Sequence, residues 1–149
     1  MELILWRHAE AEDGVPDAER KLTNKGLRQA NSMANWLKEK LPENSRVIVS
    51  PTKRTQQTAM ALGYDFETSR EIAPGASADM ILAAVGWPDE DCVVVVGHQP
   101  TLGEVAALLL FDYPGELSVK KGAIWWFSCK KTQRTKKIVL RTAISPDML

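Results

Sequence analysis

The sequence predicts an α/β fold, a three-layer α/β/α sandwich around a mainly parallel sheet with an antiparallel edge. Three observations carry that expectation. Short uninterrupted apolar runs alternate with helix-period patterns, the form taken by parallel strands buried on both faces. Each apolar run ends in a polar cluster containing Arg or His. After Gly122 the alternation stops, and two strand-like segments follow with no helix between them.

Taken in order, Glu2-Leu3-Ile4-Leu5-Trp6 is the first strand, an apolar run too short for a helix. Arg46-Val47-Ile48-Val49 and Cys92-Val93-Val94-Val95-Val96 are the second and third, both β-branched and flanked by polar residues. The spacing of Leu27, Ala30, Ala34 and Leu37 predicts a helix over 24–41, with Thr23 as N-cap and Pro42 as its stop. A second helix is expected to open at Ser50-Pro51, Ser capping and Pro in the first turn, and to run to about Leu62. A third covers Ala78 to Val85, before Gly86-Trp87-Pro88. The fourth opens at Gln99-Pro100 and carries Leu102, Val105, Ala106, Leu109 and Leu110, leaving Tyr113-Pro114-Gly115 as a turn. The last two strands, Ala123–Ser128 and Ile138–Thr142, form a hairpin whose polar stretch Lys130 to Lys137 reads as a solvated loop.

At 149 residues, with no linker or internal repeat, the chain is expected to form one domain over residues 1–149. Nineteen Lys+Arg match nineteen Asp+Glu, so no global field attracts nucleic acid or an anionic membrane, and any basic site must be local. No apolar run reaches a membrane span, and the Met1–Trp6 opening lacks a signal-peptide layout, which places the protein in the cytoplasm. Cys92 and Cys129 stand 37 residues apart without a CxxC, and with two histidines in the chain there is no sulfur-rich metal set. Both cysteines are read as core or sheet residues, and neither a metal nor a cofactor is expected.

The chemistry collects where the parallel strands end: Arg7-His8 after the first, Ser50-Pro51-Thr52-Lys53-Arg54 after the second, Gly97-His98-Gln99-Pro100 after the third. The carboxyl ends of parallel strands share one edge, where open α/β sheets bind ligands. His8, Arg54 and His98, far apart in sequence, should therefore face one crevice with Arg7. Two guanidiniums can grip a dianionic phosphoryl group by bidentate, charge-assisted hydrogen bonds, and an imidazole is a suitable nucleophile for phosphorus. The two helix starts would turn free N–H groups toward the same anion. One histidine can attack in line while the other, kept protonated by the bound phosphate, stabilises the transferring group.

At these residues the sequence resembles the histidine phosphatase superfamily, with its phosphoglycerate-mutase-like fold. The motifs that carry the resemblance are Arg7-His8-Ala9, Leu22-Thr23-x-x-Gly26, Ser50-Pro51-x-x-Arg54-x-x-x-Thr58-Ala59 and Gly97-His98-x-Pro100, over about residues 1–128. With the short length, Trp36 and the Arg-His-Ala-Glu-Ala opening, the chain is most similar to SixA-type phosphohistidine phosphatases. The resemblance implies that His8 is the nucleophile, that Arg7 and Arg54 hold the phosphate, and that His98 stabilises the transferring group. It also matches Arg20 to an arginine on the pocket rim. Ser50 and Thr58 read as cap and helix-packing residues, and the acidic stretch Glu10, Glu12, Asp13, Asp17 and Glu19 as a rim or a solvated loop.

A general acid for an alkoxide leaving group is harder to place, Glu71 and Asp79 being the nearest candidates. A phosphoramidate on histidine has less need of one, because its imidazole leaving group can be protonated at the other nitrogen. The interval of 44 positions from Arg54 to His98 leaves little room for a lid. The expected substrate is thus a phosphorylated histidine-carrier protein, such as a phosphotransfer domain or phosphocarrier. The alternatives are a phosphatase of small phosphomonoesters such as sugar phosphates, and a non-catalytic phosphoprotein sensor. A nucleotide-binding domain is disfavoured, since no GxGxxG or GxxxxGK follows a strand.

Overall fold

In the computed structural model, which describes Met1–Leu149, the first three apolar runs form β1 (Glu2–Arg7), β2 (Arg46–Val49) and, after an intervening short strand β3 (Glu67–Thr68), β4 (Cys92–Gly97). The hairpin is β5 (Ile124–Lys131) and β6 (Lys136–Ile144). The six strands lie in the order β3-β2-β4-β1-β5-β6. The first four of these are parallel, and β5 and β6 add an antiparallel edge beside β1. The helices are α1 (Asn24–Lys38), α2 (Lys53–Met60), α3 (Ala78–Ala84) and α4 (Thr101–Phe111).

The continuous apolar runs have a direct cause. Every side chain of Leu3–Trp6 and Val93–Val96 is 0% exposed. Because successive residues of a strand face opposite sides, one strand serves two cores. Leu3, Leu5, Val93 and Val95 join Ile81, Leu102, Val105 and Ala106 under α3 and α4. Ile4, Trp6, Val94 and Val96 join Met33, Ala34, Leu37 and Ala59 under α1 and α2. Burying each of these larger side chains contributes about 1.5–3 kcal/mol, enough to fix strand register on both faces. The fold is the expected α/β/α sandwich, and Cys92 and Cys129 are free and buried.

Several local expectations need correction. α1 ends at Lys38 rather than Leu41, its last residues continuing as a turn. Its buried face is Gly26, Ala30, Met33, Ala34 and Leu37, while Leu27 is 41% exposed. The helix is rolled this way because Gly26 lies against the backbone of Glu10, where an added Cβ would stand 2.0 Å from the Glu10 carbonyl oxygen. α2 starts at Lys53 with Thr52 at the N-cap, so Ser50 does not cap it. α4 starts at Thr101; the Gln99 side chain accepts from Gly103 N and donates to Leu117 O, pinning the chain where Gly103 leaves no room for a Cβ. The basic stretch is mostly strand: Lys130 and Lys131 pair with Lys137 and Lys136, leaving only Thr132–Thr135 as the turn.

Candidate active site

Three strand ends meet at one point. Arg7 closes β1 beside Gly97 of β4, and the register places Val49 of β2 beside Val96. The residues that follow, His8, Ser50 and His98, therefore emerge together. His8 N donates to Gly97 O (3.1 Å), Ser50 N donates to Val96 O (3.1 Å), and Gly122 N donates to His8 O (2.9 Å), so β5's approach also fixes His8. Thr58 of α2 completes the frame: its hydroxyl accepts from Ala9 N at 3.1 Å and donates to Arg54 O at 2.8 Å.

The two imidazoles are 7% and 6% exposed, with ring centroids 5.4 Å apart. Nδ1–H of His8 donates to its neighbour's carbonyl, Ala9 O, at 2.7 Å. That bond sets the tautomer and leaves the Nε2 lone pair free. His98 is held by Ser50, whose Oγ lies 2.8 Å from Nε2, and its Nδ1 meets Arg54 Nη2 at 3.5 Å. Since a guanidinium can only donate, Nδ1 carries the lone pair and Nε2–H donates to Ser50. Burial pushes His8 down to about 4, against a smaller opposing effect from the Ala9 carbonyl, with Arg54, Arg7 and Arg20 lowering it further. Burial pushes His98 down to about 3, helped by His8 and Arg54 and opposed by Asp17. Both rings are neutral at neutral pH.

The arginines are held by one edge and open at another. Arg7 Nη1 donates to Val119 O (2.9 Å), and burial lowers its proton affinity. Arg54, 4% exposed, donates from Nη1 to Asp17 O (2.8 Å) and from Nη2 to Asp17 Oδ2 (3.0 Å). The Nε of each guanidinium is buried without a partner. An orphaned buried N–H costs about 1–3 kcal/mol, so two beside two histidines mark a place prepared for an acceptor.

Arg20 belongs to the same network. Its Nε donates to Glu12 O (2.7 Å) and its Nη1 to Asp17 Oδ1 (3.0 Å), so the Asp17 carboxylate bridges Arg20 and Arg54 and sits well below the usual carboxylate range because of those bonds. Ser50 is the site residue that sequence reasoning places elsewhere, while Asp17 takes the rim position that is one of the two readings of its acidic stretch. Glu71 and Asp79 are exposed and make no hydrogen bond to His8, His98, Arg7 or Arg54, Asp79 facing a separate cleft with Ser77 and Glu104. No group of three or more His, Cys, Asp and Glu is arranged to hold a metal ion.

The chain is similar to known proteins over most of its length. The model of the histidine phosphatase superfamily (branch 1) matches residues 3–76, which include His8 and Arg54. Phosphohistidine phosphatase SixA of Escherichia coli K12 is 32% identical over 126 residues, covering 78% of this chain and 76% of its own. The SixA homolog of Haemophilus influenzae is 31% identical over 126 residues, covering 73% of this chain and 77% of its own. Among solved structures, the protein histidine phosphatase SixA complexed with tungstate superposes with a TM-score of 0.81 at 27% identity, over 99% of both chains. With the E. coli relative aligned over three quarters of its length and the strand-end residues gathered as described, the chain belongs to the histidine phosphatase superfamily and is of SixA type.

Proposed function

We propose that the protein removes phosphate from phosphohistidine residues of proteins through a phosphoenzyme at His8, with Arg7, Arg54 and His98 as its phosphate-binding and catalytic partners and Arg20 on the rim. The observation that carries this reading is the pair of unpartnered guanidinium Nε groups beside two buried, neutral imidazoles 5.4 Å apart.

The phosphoryl oxygens accept from Arg7 and Arg54. His98 takes up a proton at Nδ1 as the dianion arrives and donates it as a hydrogen bond to a phosphoryl oxygen, while Ser50 holds the ring from the other side. The His8 Nε2 lone pair attacks phosphorus, and the P–N bond to the substrate imidazole breaks with its electron pair going to that nitrogen. A proton taken from solvent at its other ring nitrogen lets that imidazole leave neutral. In the second step water attacks phosphorus, the bond to His8 Nε2 breaks, and phosphate leaves with the proton balance closed by solvent. Negative charge developing on the equatorial oxygens meets donors already in place, the principal source of rate in phosphoryl transfer. Arg7, Arg54 and His98 supply the positive charge, so the mechanism draws on no metal or cofactor. The whole of 1–149 acts as one domain, two cores sharing one sheet. No helix is long and apolar enough to cross a membrane, and the free cysteines suit a reducing compartment, so the cytoplasm is the proposed location.

Neither Glu71 nor Asp79 reaches the site, and this favours an imidazole leaving group over an alkoxide. The test is kcat/KM for a phosphorylated phosphotransfer domain or phosphocarrier beside a panel of sugar phosphates. The phosphoprotein should win. A sugar phosphate ahead by about tenfold, about 1.4 kcal/mol of transition-state preference, promotes small phosphomonoesters instead.

A further inference from the structure

Beside the phosphate site, on the β5 flank of β1, lies a cleft of about 490 Å³ that shares Arg7 with it and whose other residues the mechanism does not use. Its walls carry Arg7, Lys25, Lys120 and Lys121, with Gln29 between them and Asp147 as the one carboxylate. Asp147 stands 4.0 Å from Lys120 Nζ and shares a short contact with Ser145, so it offsets one of four cations. In a chain whose formal charge is zero, this is a local excess of positive charge.

Lys25 makes the excess more pointed. It sits in the first turn of α1, a turn with no acidic residue, where the helix dipole favours a carboxylate. Glu10, whose carboxylate accepts from the N-cap Thr23 Oγ1 at 2.8 Å, offsets part of the field at this helix end but does not line the cleft. Lys25, Lys120 and Lys121 are all exposed, and Lys25 and Lys121 join no ion pair. The other flank of the site is net acidic, with Glu12, Asp13, Asp17 and Glu19 against Arg20 and Lys21. There the loop that Asp17 ties to Arg54 exposes Glu12, Asp13 and Glu19. Arg7 belongs to the phosphate site and to the cleft at once, so a group in the cleft is a near neighbour of the phosphoryl group.

We infer that this cleft is a docking subsite for an acidic side chain flanking the phosphohistidine of the substrate protein. The inference rests on the proposed phosphohistidine activity and names what its substrates present. A carboxylate two or three residues from the phosphohistidine is drawn to the lysines, and a basic residue there is repelled. The opposed charge on the far rim favours one orientation of the approaching surface.

The experiment uses three phosphohistidine peptides of equal length whose flanking residues are Glu, Ala or Lys. Wild type should hydrolyse them in the order Glu, Ala, Lys, with kcat/KM for the first above the last by about tenfold and the difference in KM. The order should flatten when salt is raised to about 0.5 M, as screening requires. The triple variant Lys25→Glu, Lys120→Glu, Lys121→Glu should invert it while p-nitrophenyl phosphate turnover stays within about twofold. Should that variant lose p-nitrophenyl phosphate turnover through misfolding, the triple Lys→Gln variant takes its place and should abolish the preference. Equal rates on all three peptides, or wild-type order in the variant, overturn the subsite and leave the phosphatase reading intact. No hydrolysis of any of the peptides or of a phosphorylated carrier protein overturns the phosphatase reading, and the subsite with it.

Discussion

Acid should unfold this protein by protonating the candidate active site. His8 and His98 are the only histidines in the chain, and both are buried neutral with proton affinities far below the ordinary 6.5, at about 4 and about 3. A histidine depressed in the folded state binds a proton more readily when unfolded, so stability falls as pH drops below 6.5 and stops falling near the folded values. At pH 7 the effect is nearly absent. At pH 5 the unfolded histidines are protonated and the folded ones are not, which costs about 2 kcal/mol for each. The expected loss between pH 7 and pH 5 is therefore about 4 kcal/mol, a large part of an ordinary domain's stability. No other side chain has an unperturbed titration in that interval. Urea denaturation at pH 7, 6 and 5 measures the loss, and the double variant His8→Asn, His98→Gln should show almost none of it. Saturating orthovanadate should roughly halve the wild-type slope, because an anion in the site lets His98 hold its proton when folded while His8 stays neutral. An unchanged unfolding free energy from pH 7 to 5, or an equal fall in the double variant, would refute the burial and neutrality assigned to these rings.

Other outcomes follow from single contacts. Arg54→Ala should lower kcat/KM by about 10³, and Arg54→Lys should recover little, since an ammonium cannot offer the Nε edge that lies unpartnered in the site; steady-state kinetics on p-nitrophenyl phosphate decide it. Ser50→Ala leaves the buried His98 Nε2–H without its acceptor, at a cost of about 1–3 kcal/mol in stability, and should lower kcat about tenfold with KM little changed, by melting and kinetics. Gly26→Ala forces a methyl against the Glu10 carbonyl and should destabilise by about 3 kcal/mol or more, read as a lowered Tm with the active-site residues untouched.

What the sequence disclosed and what it hid divide along physical lines. Leu3–Trp6 and Val93–Val96 announce themselves because residues buried on both faces must be apolar without interruption. Their polar ends follow from the shared edge of parallel strands, and on that basis His8, Arg54 and His98 could be assembled without coordinates. Ser50 reads as a cap because Ser-Pro before a helix is a strong local signal for one, whereas its actual partner is 48 residues away. Asp17 is half legible: its acidic, Gly- and Pro-containing stretch reads as a rim or a solvated loop, and nothing in it signals a carboxylate bridging Arg20 and Arg54. β3 is two exposed residues, too short to carry a pattern. The lysines of the hairpin concealed strand because backbone pairing between β5 and β6 continues regardless of side-chain charge. Leu27 fits the helical period, but the close approach of Gly26 to Glu10 turns the face away from it.

The central claim, a covalent phosphoryl group on His8, has one direct measurement. Rapid quench at neutral-to-alkaline pH during turnover of a labelled phosphohistidine carrier, followed by peptide mapping, should place the label on the peptide carrying His8. The label should survive alkali and be lost in acid, as a phosphoramidate is. The His8→Ala protein should carry no label and turn over at least about 10⁴ times more slowly, because the route itself is removed. Label of equal amount in the His8→Ala protein, or undiminished turnover without it, would contradict the account.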